Sequence, residues 1–301
     1  MTPTAVPWPP ARVRQRLADY VVLAKPRVVL MVLVTSVVGY HLGSPGTPAT
    51  VPLLHTLAGT ALAAAGTLAL NQWMERDRDG LMARTRHRPL PDGRIAPVEA
   101  LVFGLALLLA GLLYLAVAAN PLTMTITALI AVTYLLLYTP LKPLTPLCSL
   151  VGAVPGALPP VAGWAAARGA LGAEPWVLFA IMFLWQIPHT LAIGHVYRED
   201  YARAGIRLLP VIDRDGASTG THAVMNCLAL LPVALLPTLM GLAGRFYFSS
   251  ALVLGLGLLG AALALARSRS TADARRLLLA SLLYLPILLV VLALDKVPFA
   301  S

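Results

Sequence analysis

Charge is scarce in this chain. Asp, Glu, Lys and Arg together make up 12% of 301 residues, and 58% are hydrophobic. Cysteine is nearly absent. Cys148 and Cys227 fall in or at the ends of apolar runs, which excludes a disulfide framework and a cysteine metal site. No hydrophilic linker is long enough to separate two domains. No Ser-His or Cys-His arrangement suggests a nucleophile. The amino-terminal stretch MTPTAVPWPPARVRQR is Pro-rich and then basic, and its first apolar run begins too late for a cleavable signal. The apolar runs hold no Asp, Glu, Lys or Arg at their expected midplanes. Ion pumps and proton-coupled carriers place coupling charges there, so this absence argues against a transporter.

What the chain has instead is a mean hydropathy of +0.78, far above that of soluble domains. Nearly all of it divides into apolar runs long enough to cross a bilayer as helix. Nine are expected, near residues 28–44, 51–70, 99–118, 121–139, 147–167, 175–194, 221–243, 246–266 and 276–294. Barrel strands would alternate and be shorter, so the fold class is all-α integral membrane, nine helices around an apolar chamber with polar lips. Residues 1–18 read as a mobile basic tail, and residues 19–301 as one transmembrane domain. With nine spans, the amino terminus and every second loop carry 20 of the 23 Lys and Arg; the opposite side has only Arg168, Arg245 and Lys296. The positive-inside rule puts the amino terminus and both lips in the cytoplasm. The same rule accounts for the net charge of +10 without a nucleic-acid partner.

Polar chemistry is concentrated in two segments. Asn71–Arg94 holds Glu75, Asp77, Asp79, Asp92 and six arginines. Asn71, Glu75 and Asp79 are spaced i, i+4, i+8 and share one face if the preceding helix continues through them. An oxygen-rich face beside arginines suits Mg²⁺-diphosphate, with carboxylates on the metal and arginines such as Arg84 and Arg88 on the phosphates. Asp77 is about 200° away on an ideal helix and joins only if the helix unwinds. The second segment, His195–Pro210, carries Glu199 and Asp200 among Arg198, Arg203 and Arg207. Each segment could instead be a solvated loop that only anchors topology. Pairing favours one diphosphate held between two lips, with Glu199 and Asp200 also on metal and Arg198 on phosphate.

Two weaker signals remain. Lys142 in YTPLKP, one turn after Tyr138, reads by spacing as a snorkelling lysine. Trp185, Gln186 and His189 lie in WQIPH, with Pro188 kinking the sixth span. His189 is by default a buried hydrogen-bonding group, and otherwise a ligand or support for a large aromatic substrate. His41 and His55 lie at the opposite membrane side and read as structural or interfacial.

In these stretches the chain resembles the UbiA superfamily of intramembrane prenyltransferases, over residues 20–295. The matching segments are AKPRVVLMVLVTSVVG (24–39), LNQWMERDRDGLMARTRHRPLPDGRI (70–95), YTPLKP (138–143), WQIPH (185–189) and YREDYARAGIRLLPV (197–211). The resemblance assigns Asn71, Glu75 and Asp79 to the family's first motif. It also makes Tyr138 and Lys142 its Tyr-x₃-Lys element, on the diphosphate. Where relatives acting on hydroxybenzoate carry D-x₃-D, this chain has Tyr197 and Tyr201, a departure like the heme-specific branch. That branch implies farnesyl transfer from farnesyl diphosphate to a vinyl group of heme b, giving heme O, with Mg²⁺ as cofactor. Trp185 and His189 then face the heme. The expected setting is the inner membrane, with a heme A synthase or oxidase-assembly protein as partner. Two other functions compete: a prenyltransferase for a quinone precursor or lipid alcohol, and a non-enzymatic heme carrier. The tyrosines oppose the first and the acidic motif opposes the second.

Overall fold

The computed structural model describes residues 10–298 of the chain. Its helices are α1 (Pro10–Ala24), α2 (Pro26–Gly43), α3 (Thr50–Asp79), α4 (Pro97–Ala118), α5 (Pro121–Val132), α6 (Thr139–Leu141), α7 (Cys148–Ala157), α8 (Pro159–Arg168), α9 (Glu174–Val196), α10 (Arg198–Arg203), α11 (Leu209–Ile212), α12 (Ala217–Leu239), α13 (Arg245–Ser268) and α14 (Thr271–Leu294). A π-helical segment, Thr133–Tyr138, joins α5 to α6. Among the described residues there is no strand, only one backbone bridge between Ala243 and Lys296. Among the described residues, nine helical stretches are long and apolar enough to span a bilayer, and they overlap the runs expected from sequence. The fourth is α5 through α6, and the fifth is α7 with α8.

Proline sets where spans begin. Pro26, Pro97, Pro121 and Pro159 open α2, α4, α5 and α8. There a missing N–H costs nothing and φ is already helical. The tight gap before Pro121 is closed by Asn120, whose side-chain oxygen accepts from the Thr123 N–H at 2.8 Å. Leu105, Leu109 and Leu113 of α4 are exposed along one stripe, as suits a lipid-facing surface. The opposite face packs on α3 through small residues: a Cβ at Gly66 would stand 2.4 Å from the Leu108 nitrogen, so only glycine permits this approach.

One element meets a condition set by the sequence and one differs from expectation. The second span continues past the apolar run, as the polar motif's spacing required. α3 runs unbroken for 30 residues, about 45 Å, and carries the polar motif beyond the apolar run. Residues 10–18, expected as part of a mobile tail, are helical in α1; residues 1–9 lie outside the described set. The helix forms because its two faces find partners. Arg16 pairs with Glu99, Asp19 with Arg94 at 3.2 Å, and Leu23 buries against Ala69 and Ile95. Val13, Leu17 and Val21 form an exposed apolar stripe, the pattern of a helix lying in a membrane interface. At the far pole, His41 Nε2 donates to the Ala293 carbonyl at 3.1 Å, and Lys296 donates to the carbonyls of His41 and Ser44. Those bonds tie α2 to the end of α14.

Candidate active site

The continuous α3 places Asn71, Glu75 and Asp79 on one buried face, at 1%, 8% and 2% exposure. Buried polar groups need partners, and three basic side chains supply them. Lys142 Nζ lies 2.6 Å from Glu75 Oε1, and Arg88 Nη1 lies 2.6 Å from Asp79 Oδ2. Lys25 Nζ donates to Asn71 Oδ1 at 3.0 Å. The Glu75 carboxylate fixes the amide orientation, because it can only accept. The Asn71 NH₂ group therefore turns to Glu75 Oε2 at 3.0 Å and Thr139 Oγ1 at 3.1 Å.

Each partner has a local reason to be there. Pro140 cannot donate to the carbonyl one turn back. The chain widens before it into the π segment, where Thr139 Oγ1 donates five residues back to the Tyr134 carbonyl. This brings the rings of Tyr134 and Tyr138 to 5.2 Å and seats Lys142 Nζ 4.5 Å from the Tyr138 ring centre. In the RT-x-x-RPLP segment, Thr85 Oγ1 donates to the Asp79 carbonyl at 2.8 Å and ties the loop to the end of α3, which sets Arg88 beside Asp79. Lys25 occupies the left-handed region, φ 49°, at the bend between α1 and α2. A non-glycine residue rarely sits there.

The electrostatics of the two lysines differ. Burial first, then the neighbouring Arg88 and Lys142, push the Lys25 ammonium down to about 7. At Lys142, burial also opposes the charge, but Tyr138 and the Glu75 carboxylate outweigh it and hold the ammonium above its ordinary range.

The structure joins the two lips directly. Asp200 Oδ1 accepts from the Ala83 N–H at 3.3 Å and pairs with Arg203. Glu199 is exposed. Among the described residues no hydrogen bond or ion pair joins either acid to Asn71, Glu75 or Asp79; Asp200 ties the lips together through backbone and arginine. Arg84 is exposed, with its guanidinium 5.5 Å from the Tyr197 ring and 5.9 Å from the Tyr201 ring. It bridges the lips through the two tyrosines that depart from the family's acidic pattern. Arg198 is half-buried at the start of α10 and makes no hydrogen bond or ion pair with the Asn71 face among the described residues. Asp77 is exposed, since α3 does not unwind there. A small apolar cluster of Met82, Cys148, Ala204, Ile206 and Leu208 seals the lips from beneath.

Beneath this charged cluster lies an apolar cavity of about 270 Å³, bounded by Tyr134, Tyr138, Ala63, Thr67, Gly152 and Gln186 among others. Gly152 is needed here, because a Cβ would come within 2.6 Å of the Tyr138 ring. Gln186 and Thr190 line the cavity from α9. Trp185 and His189 sit on the adjacent face of that helix, towards α14, with stacked rings 4.9 Å apart.

Lys25 and Thr139 were missed as site residues by sequence reasoning. Lys25 lies inside AKPRVVLMVLVTSVVG (24–39), and its only signal was a lone lysine just before the proline that opens the first span. Thr139 carried no signal, since its role depends on the π segment.

Residues 32–286 match the UbiA prenyltransferase family. The chain is 46% identical over 289 residues to the protoheme IX farnesyltransferase of Solibacter usitatus (strain Ellin6076), covering 93% of this chain and 99% of that protein. It is 44% identical to the protoheme IX farnesyltransferase of Koribacter versatilis (strain Ellin345), covering 98% and 97%. Its fold is similar to that of a digeranylgeranylglyceryl phosphate synthase, TM-score 0.79 at 17% identity, covering 93% of this chain and 98% of that one. A UbiA homolog from Archaeoglobus fulgidus bound to GPP and Mg²⁺ matches with TM-score 0.64 at 20% identity, covering 91% and 99%.

Proposed function

The chain belongs to the UbiA prenyltransferase family, and we propose that within it the protein transfers farnesyl from farnesyl diphosphate to a vinyl group of heme b, giving heme O. The observation that carries prenyl transfer is the buried Asn71–Glu75–Asp79 face, matched by Lys25, Lys142 and Arg88 at the mouth of an apolar cavity. Heme as acceptor rests on the names of relatives that align over nearly the whole chain.

Lys142 and Arg88 balance the two carboxylates, and Lys25, whose ammonium titrates at about 7, would add up to one further positive charge when an anion binds. A magnesium prenyl diphosphate, with residual negative charge, fits that balance. The donor set is all oxygen, which suits a hard cation. Asn71, Glu75 and Asp79 would hold Mg²⁺, which supplies charge stabilisation at the departing diphosphate.

Lys142, Arg88 and Lys25 would exchange their carboxylate and amide partners for phosphate oxygens, and Arg84 would approach from the lip. As the C1–oxygen bond breaks, the electron pair leaves with the diphosphate. The faces of Tyr134 and Tyr138 then stabilise the allylic cation. The apolar cavity keeps water from that cation until C1 bonds to the terminal vinyl carbon. Water adds to the adjacent carbon and its proton is lost, giving the hydroxyethylfarnesyl group. Trp185 and His189, on the neighbouring face of α9, would meet the porphyrin.

The lopsided distribution of Lys and Arg supports a cytoplasmic amino terminus and a site opening to the cytoplasm, in the inner membrane of a cell that has one. A heme A synthase or an oxidase-assembly protein is the partner this reading calls for.

The deciding experiment incubates detergent-solubilised protein with heme b, farnesyl diphosphate and Mg²⁺, and reads the products by mass spectrometry. The expected product is heme carrying one farnesyl and one hydroxyl. Hydroxybenzoate runs in parallel as acceptor; its prenylation with heme untouched would overturn the assignment.

A further inference from the structure

Trp185 and His189 are held by one residue of a neighbouring helix. Trp185 Nε1 donates to the Ser281 carbonyl at 2.9 Å, and His189 Nδ1 lies 2.8 Å from Ser281 Oγ. Ser281 is fully buried. Its hydroxyl donates to the Leu278 carbonyl at 2.7 Å, the usual bond of a serine to its own preceding turn.

That bond decides a tautomer. A hydroxyl has one proton, and here it is committed to Leu278. Towards His189 the oxygen can only accept, so His189 Nδ1 carries the ring proton and donates. In a neutral imidazole the other nitrogen, Nε2, is then left with a lone pair. Nε2 has no hydrogen-bond partner among the described residues. Stacking of the His189 ring on Trp185, 19° from parallel, restrains its rotation. His189 is half-buried, so the ring is reachable.

Position adds a second argument. Gln186 and Thr190 line the apolar cavity. Trp185 and His189 lie about 100° around the same helix. One helix thus presents the prenyl compartment on one face and a fixed imidazole on the next.

We propose that His189 ligates the iron of the acceptor porphyrin through Nε2, and that Ser281 is the positioning residue that selects this tautomer. The inference rests on the reading of heme b as acceptor. A histidine that binds metal through one nitrogen generally donates its other N–H to a fixed oxygen, which sets the ring's tautomer and orientation. Ser281 supplies that oxygen before any porphyrin arrives. Ligation would fix the porphyrin plane relative to α9 and so set which vinyl group reaches the cavity.

The test compares two porphyrins on purified full-length protein in detergent: ferric heme b, followed by absorption, and iron-free protoporphyrin IX, followed by fluorescence. Binding of a non-hydrolysable farnesyl diphosphate analogue reports that each variant is folded. Wild-type protein is expected to give an imidazole-ligated iron spectrum. His189→Ala and His189→Gly should lose that spectrum while binding the iron-free porphyrin within about twofold of wild type, and imidazole should restore it in His189→Gly. Ser281→Ala should keep the ligated spectrum but weaken iron-porphyrin binding about 10- to 100-fold, again with little change for the iron-free ring. An unchanged spectrum in His189→Ala overturns the proposal. Equal loss of both porphyrins overturns it too, because that is the signature of packing. Where the wild-type enzyme farnesylates heme but His189→Ala keeps the ligated spectrum, ligation fails and the heme reading stands. Where wild-type protein neither binds nor farnesylates heme, both fail.

Discussion

Lys142 Nζ sits 2.6 Å from Glu75 Oε1 and 4.5 Å from the centre of the Tyr138 ring. The lysine thus belongs at once to the carboxylate it neutralises and to the aromatic wall of the cavity. Its charge stands where a diphosphate would leave and where an allylic cation would need shelter from solvent.

Glu75→Gln and Asp79→Asn should each lower turnover more than a hundredfold at saturating substrate and Mg²⁺. Losing a ligand at the point where charge develops typically costs about 3 kcal/mol or more. Product formation by mass spectrometry checks this, with thermal unfolding as the control for folding. Wild-type rates in both variants would remove these residues from the site.

Lys142→Met should destabilise the substrate-free protein by about 3 kcal/mol, because it strands a buried carboxylate. Adding Glu75→Gln should recover much of that loss, since the double variant no longer buries an unpaired charge. Unfolding midpoints in detergent for the two single variants and the double give the coupling directly. Additive losses would mean that the pair carries no coupling.

Lys25 predicts a pH dependence in metal-free, diphosphate-free protein. Its ammonium titrates near 7 when folded, against an ordinary value of 10.5. Between those values the unfolded chain holds more protons than the folded one, so stability rises with pH. Below pH 7 the full cost of burying the charge is present. Lys25→Met should flatten the rise between pH 7 and 9, with chelator present. Identical profiles for the two proteins would show that Lys25 keeps its proton in the fold.

Reporter fusions at residues 90 and 205 should fall on the same side of the membrane, opposite a fusion at residue 170. The split of 20 basic residues against three motivates this. The contact between Ala83 and Asp200 also requires the first two positions to share a side. Opposite-side signals at 90 and 205 would contradict both arguments.

The sequence determined the architecture of this protein because a bilayer leaves few options. Apolar runs of spanning length must be helices, since each backbone polar group has to be satisfied within its own segment. Prolines marked where spans start, and i, i+4, i+8 spacing was enough to align Asn71, Glu75 and Asp79. Arg88 and Lys142 were read as diphosphate groups, but which motif residue each basic side chain meets was not legible. Lys25, Lys142 and Arg88 come from three different segments, and each is aimed by something that no local pattern encodes: a left-handed bend, a π segment before Pro140, and a threonine tie to the end of α3. The tie between the two lips was hidden as well, since only the packing of the loops turned Asp200 towards Ala83. The helical part of residues 10–18 was hidden for the same reason, since its partners Glu99 and Arg94 lie far along the chain. Periodicity follows from the geometry of one element and can be read along it. Partnership depends on which elements meet, and that was decided only when the helices packed.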